Sequence, residues 1–366
     1  MRGKLWENIF GAAPVFLLLM SFSVLNALEK EMTADGRQGR YGLADSYLEI
    51  TKDAGTAYPG NKLPELTDYN IPDLSERKKT AAEDTDGETA GKQGRIIRKI
   101  SNLRNDYSAY YRFMNFDGSQ LEVTFSMEKK TYDEYISGYG YFEQELKAMA
   151  EWRDRKERET AGGKDGPEFK EIKEQYDIRL RKFLRSRGLA LRASAKTIEP
   201  DMPLIVKQNR ALMAPVAASI NRQLSAENNF SYDSIIGASL SLAQTAISYG
   251  VPPLVEKNGR HTVGIYPPVR VMLAGKGDCD TKTALLGAIL LNYKGIKTVG
   301  ISVPGHYLMA VRRVPMRGEL FIKYHGLEYV LVEPAGPAWL PVGTVGENTE
   351  NMLGQGREYG IEEFSL

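Results

Sequence analysis

Gly275-Lys276-Gly277-Asp278-Cys279-Asp280-Thr281-Lys282 runs without a break into the apolar stretch Thr283–Leu291, and this segment carries most of what the chain says about its fold. The glycines make a tight loop, and the stretch after it has the length and apolar face of a buried helix. Cys279 then stands at or near a helix start, where unpaired N–H groups and the helix dipole favour a thiolate over a thiol. Asp278 and Asp280 oppose that effect unless their charges point away, and capping the helix is a natural structural task for one of them. Cys279 is the single cysteine among 366 residues, which excludes an intramolecular disulfide and any CxxC metal or redox site. No HExxH pair and no EF-hand-like acidic loop occurs, so neither a metal nor a cofactor is expected.

Downstream, His306 opens the apolar run Val303-Pro304-Gly305-His306-Tyr307-Leu308-Met309-Ala310-Val311, and Glu333 closes Tyr329-Val330-Leu331-Val332 just before Pro334. A histidine at the head of a strand holds its ring at the sheet's edge. A carboxylate on a neighbouring strand can accept its second ring N–H and stabilise the imidazolium of a thiolate–imidazolium pair. Nucleophile at a helix start, base and orienter on adjacent strands: thiol acyl transfer needs this arrangement. A lone cysteine is more often a buried structural thiol, but Cys279, His306 and Glu333 together, in this order and context, favour a catalytic triad. His261 and His325 have no such company. For the oxyanion, the side-chain amide of Gln244 and the backbone N–H of Cys279 are both candidates. Gln244 reads equally well as a helix residue satisfied locally.

GKGDCDTKTALLGAIL, then GHYLMAV, then YVLVEPAG resembles the core of the transglutaminase-like superfamily, which includes transglutaminases, peptide N-glycanases and bacterial thiol peptidases. Gly277, Asp278 and Cys279 match the family's G-D-C at the helix start, His306 its histidine, and Glu333-Pro334 its acidic residue. Ala243–Tyr249 resembles a V-Q-x-I-x-Y helix of bacterial members, and Tyr266-Pro267-Pro268 a Pro-containing approach to the cysteine loop. Two departures stand out: Thr281 where many members carry Asp, and Glu333 in place of the commoner Asp. The resemblance spans about Leu240 to Gly346. It implies a papain/transglutaminase-like core, with the cysteine helix packed on an antiparallel sheet, and a Cys279–His306–Glu333 triad.

The rest of the chain is organised around that core. A positive start (Arg2, Lys4) and an uncharged run from Ile9 to Leu28 read as a signal peptide or membrane anchor over 1–28, about the length that spans a bilayer. Residues 29–100 read as a flexible tether, because Arg77–Gly94 has no large apolar residue to offset its ordering entropy. Within an accessory region, 101–200, Tyr110–Phe116 and Leu121–Phe125 flank Asp117-Gly118, a β-hairpin signal. Phe142, Leu146, Met149 and Trp152, then Phe169, Ile172, Tyr176, Leu180 and Phe183, predict an αα-hairpin around the Gly/Pro loop 161–167. Residues 201–366, helices first and then a run of strands, complete an α+β chain. The formal net charge of +1 and the lack of a nucleic-acid motif argue against nucleic acid as a partner.

The expectation is an extracytoplasmic thiol hydrolase or acyltransferase, periplasmic or anchored in an inner membrane, acting on protein or peptide substrates. The charged outer faces of the αα-hairpin read as solvated surface, or as a docking face for an envelope partner or anionic lipid. The alternative is a catalytically silent binding module on the same fold.

Overall fold

The computed structural model describes residues 48–50, 89–91, 94–103, 105–160, 166–192, 197–354 and 359–364. The expected signal or anchor over 1–28 lies outside the described residues, as does most of the expected tether. In chain order the elements begin with strands β1 (Leu48–Ile50), β2 (Thr89–Gly91), β3 (Gly94–Leu103), β4 (Asp106–Met114) and β5 (Gln120–Glu128). Helix α1 (Lys129–Ser137), β6 (Tyr141–Phe142), α2 (Glu143–Glu159), α3 (Pro167–Ser186), β7 (Leu189–Arg192) and β8 (Thr197–Pro200) follow. Next are α4 (Met202–Ala226), α5 (Tyr232–Ser241), a π-helical turn at Leu242–Ala246, β9 (Ser248–Tyr249), β10 (Arg260–His261), α6 (Pro268–Ala274), β11 (Lys276–Gly277) and α7 (Cys279–Leu290). The chain closes with β12 (Thr298–Val303), β13 (His306–Arg312), β14 (Leu320–Tyr324), β15 (Leu327–Val332), α8 (Glu347–Gly354) and β16 (Gly360–Glu363). Mixed helix and antiparallel sheet makes this an α+β chain, as its pattern of elements predicts.

The larger sheet has six strands in the order β1-β14-β15-β13-β12-β16, all paired antiparallel. Its strands β12, β13 and β15 are largely apolar on both faces because both faces are covered. Tyr307, Met309 and Val311 join the core that holds α7, whereas Leu308 and Ala310 join a second cluster with Val345 and with Leu353 of α8. This is the period-2 alternation of a strand, with each face given its own layer. The sheet is crowded at Gly300: a Cβ there would meet the Tyr307 hydroxyl and come within 2.6 Å of Phe364. Only glycine leaves room for the two rings.

The Asp117-Gly118 hairpin forms, with Met114 opposite Gln120 and a connection of five residues in which Asp117 accepts from the Ser119 N–H at 2.9 Å. It is less of an accessory than its place in the chain suggests. Ala109, Tyr111, Phe113, Leu121, Val123, Phe125 and Met127 are buried in the same core as α4 and α7. Tyr111 donates its hydroxyl to the Met272 carbonyl of α6 at 2.6 Å. The boundary expected at residue 200 therefore does not separate two cores. The expected tether is also corrected at its end: Gly94–Leu103 is a strand hydrogen-bonded to β4, since an edge beside a long hairpin is open to a further strand. The αα-hairpin forms as α2 and α3, Arg179 lying 3.9 Å over the Trp152 ring and Arg153 4.8 Å over Tyr176.

Candidate functional site

The cysteine loop is built by short parallel pairing of β11 with β9, which sets Gly277 opposite Tyr249 immediately before α7 begins. Asp278 is the N-cap: its side chain accepts from the Thr281 N–H at 3.4 Å. That is the capping task the sequence assigns to one of the two aspartates. Cys279 is thus the first residue of α7, half-buried, with its own N–H outside the intrahelical ladder. The long contact of its thiol with Asp280 Oδ1 measures 3.8 Å.

His306 arrives through a two-residue turn. Val303 pairs with His306 across the hairpin, and Pro304-Gly305 make the bend with Gly305 at φ 76°, a backbone state that favours glycine after proline. By strand parity His306 belongs with Leu308 and Ala310, on the face away from α7. At the first position of the strand, however, the ring reaches the cysteine. His306 Nε2 donates to Glu333 Oε2 at 2.8 Å, and Cys279 is close enough to act on the charge of the ring. The histidine side chain is 18% exposed and that of Glu333 4%. Burial favours the neutral ring, but Cys279 and Glu333 outweigh it and raise the imidazolium's pKa to about 10.

Glu333 is held on every side. Its Oε1 accepts from the Ala335 N–H at 3.1 Å, and Thr349 of α8 donates its hydroxyl to Oε2 at 3.3 Å. Nothing in the sequence marks Thr349 for this role, because it comes from a different layer of the fold.

Gln244 does not serve the oxyanion. Its side-chain N–H groups donate to the Glu333 carbonyl at 2.6 Å and the Leu340 carbonyl at 2.9 Å, while its oxygen accepts from the Leu340 N–H at 3.0 Å. Both donor hydrogens are spent, and the residue is fully buried. Its work is to clamp the loop after β15, and so to fix where Glu333 sits. Of the two donors considered, the Cys279 N–H remains.

Two further ionisable groups belong to the site. Burial pushes the Asp280 carboxyl up to about 7, helped by the charge of Asp278 and a hydrogen bond with it. Lys282, one turn along α7 from Cys279, is fully buried with no hydrogen-bond partner for its Nζ among the described residues. Burial lowers its ammonium to about 7, against the pull of Asp278 and Glu333. Sequence reasoning passes over it, although one cation inside an otherwise apolar helix is a visible signal. His261 lies away from this cluster, stacked on Tyr141 with ring centroids 4.8 Å apart, and His325 packs against Tyr324 at 4.1 Å. No group of side chains suited to hold a metal occurs among the described residues.

Comparison with protein-family models, curated proteins and solved structures finds no match for this chain.

Proposed function

We propose that this chain is a thiol enzyme with a papain/transglutaminase-like core, cleaving or transferring at amide or peptide bonds through Cys279, His306 and Glu333. The observation that carries the reading is the part-buried bond of 2.8 Å between the His306 ring and Glu333, with Cys279 at the helix start close enough to act on the charge of that ring. Cys279 Sγ attacks the carbonyl carbon, and the C–N bond breaks as the imidazolium gives its proton to the leaving amine. The acyl-enzyme is resolved by water, as hydrolysis, or by an amine, as transamidation. Glu333 keeps the ring in place and balances its charge. The uncharged run Ile9–Leu28 supports an extracytoplasmic or membrane-anchored setting, with protein or peptide substrates and the charged αα-hairpin as a docking face for an envelope partner.

A second reading, a catalytically silent binding module, is favoured by one observation. Asp280 Oδ1 lies 3.8 Å from the thiol, and its negative charge above about pH 7 opposes the thiolate. The rate of iodoacetamide alkylation against pH, in the wild type and in His306→Ala, separates the two. The enzyme reading expects reaction at pH values where an unassisted thiol, with a reference pKa of roughly 8.5, barely reacts, and loss of that reaction in His306→Ala. An inert thiol, or one indifferent to His306, leaves the silent module standing.

A further inference from the structure

Lys282 is the one charged side chain in α7 beyond its first two residues, and Thr281–Leu290 are all buried around it. An ammonium taken out of water with no hydrogen-bond acceptor is costly unless opposite charge is close. A leucine or methionine would fill the same space without that cost, so packing does not explain a lysine here. The charges that act on it are Asp278, at the cap of its own helix, and Glu333, arriving from the end of β15. These are the residue before the nucleophile and the residue that orients the base. Cys279 and Asp280 stand one turn earlier on α7, and Glu333 holds His306, so the titratable groups of the site comprise three carboxyls, a thiol and a single imidazole. Without Lys282, forming a thiolate adds a further negative charge to a cluster that is already acidic.

We propose that Lys282 is a positioning residue for charge: its ammonium, enclosed in the core one turn along α7 from Cys279, supplies the positive field that lets Cys279 ionise. The proposal rests on the thiol-enzyme reading above. Burial, which brings the ammonium to about 7, leaves the charge in place on the acid side, where the thiolate must form against a rising proton concentration. Above that range the lysine becomes neutral and its help fades.

The test compares the pH profile of iodoacetamide alkylation in wild type, Lys282→Met and Lys282→Arg, using the full chain, with His306→Ala as the control on the underlying reading. Lys282→Met keeps the length and removes the charge. Its acid limb moves up by about one pH unit, the scale of shift a close opposite charge produces, and Lys282→Arg keeps the wild-type limb. A Lys282→Met profile that overlays the wild type overturns the proposal. So does a Lys282→Arg limb that moves with that of Lys282→Met, because bulk rather than charge then matters. His306-independent alkylation in the wild type is a different failure, of the thiol-enzyme reading itself. Should neither variant fold, the wild type decides by 13Cε NMR of its lysines. One resonance titrating near 7 supports the enclosed ammonium, and a full set titrating near the ordinary 10.4 overturns it.

Discussion

Two helices of this chain repeat apolar residues at steps of three and four, and only one of them disappears into the core. In α7 every residue from Thr281 to Leu290 is buried, whereas α2, seventeen residues long, buries none. The difference is in what covers them. Core residues of α4, α6 and the six-stranded sheet surround α7, while α2 lies against α3 through Arg179 on Trp152 and Arg153 on Tyr176. Periodicity tells which face of a helix is apolar. How much of that face is removed from water sets the energy. The site stands on the covered helix, so its geometry is tied to the most expensive part of the structure to disturb.

The contrast is broken or sharpened by four substitutions. Leu286→Ala, in the fully buried middle of α7, costs about 2–5 kcal/mol for lost contact and the cavity left behind. A urea melt measures it, and a loss below 1 kcal/mol would mean the helix is less enclosed than its burial indicates. Gly300→Ala pushes a methyl against the Tyr307 hydroxyl and Phe364, an overpacking of about 1–3 kcal/mol. Because Tyr307 follows His306 directly, the same variant slows alkylation of Cys279 if sheet position governs the site, and leaves it unchanged if not.

Asp280→Asn probes the charge inside the covered region through the pH dependence of stability. The folded-state carboxyl is raised from 3.8 to about 7, so its contribution is fully present below pH 3.8 and is lost as pH rises through about 7. Relative to wild type, Asp280→Asn gains stability across that window, by up to a few kcal/mol at about 1.4 kcal/mol per pKa unit. A difference that is flat from pH 4 to 7 contradicts the raised carboxyl. His306 acts with the same sign at higher pH: its contribution is present below 6.5 and lost as pH rises through about 10. Lys282, lowered from 10.5 to about 7, acts with the opposite sign, its charged form in the folded state being lost on the way up. The smallest effect belongs to the uncovered helix. Trp152→Ala removes the Arg179 stack at a cost of about 0.5–1 kcal/mol, and it leaves the alkylation profile of Cys279 unmoved.

Much of this was legible residue by residue. The 3.6-residue spacing located α2 and α3, the apolar run after the glycine loop located α7, and the alternation with Asp117-Gly118 located the hairpin of β4 and β5. Cys279, His306 and Glu333 were visible because each stands at the end of an element, where a change of chain direction lets side chains meet. Less legible were the residues whose role depends on a partner far along the chain. Gln244 carries the right amide for an oxyanion, but its hydrogens go to Glu333 and Leu340, 89 and 96 residues away. The strand at Gly94–Leu103 was hidden because its apolar residues, Ile96, Ile97, Ile100 and Leu103, do not alternate, and its order comes from pairing with β4.

The sequence by itself determined where the longer helices and the central hairpin form and which residue types stand at their ends, since periodicity, turn residues and residue type are local properties. Only the tertiary structure decided what each of those side chains is next to. By parity alone His306 belongs on the far face of the sheet, and it reaches Cys279 because it is first after the Pro304-Gly305 turn. Lys282 by type alone belongs in water, and the closure of the core around α7 buries it instead, within the field of Asp278 and Glu333. Hydrogen bonds and fields act over a few ångströms of space, and the chain brings residues that close only by folding.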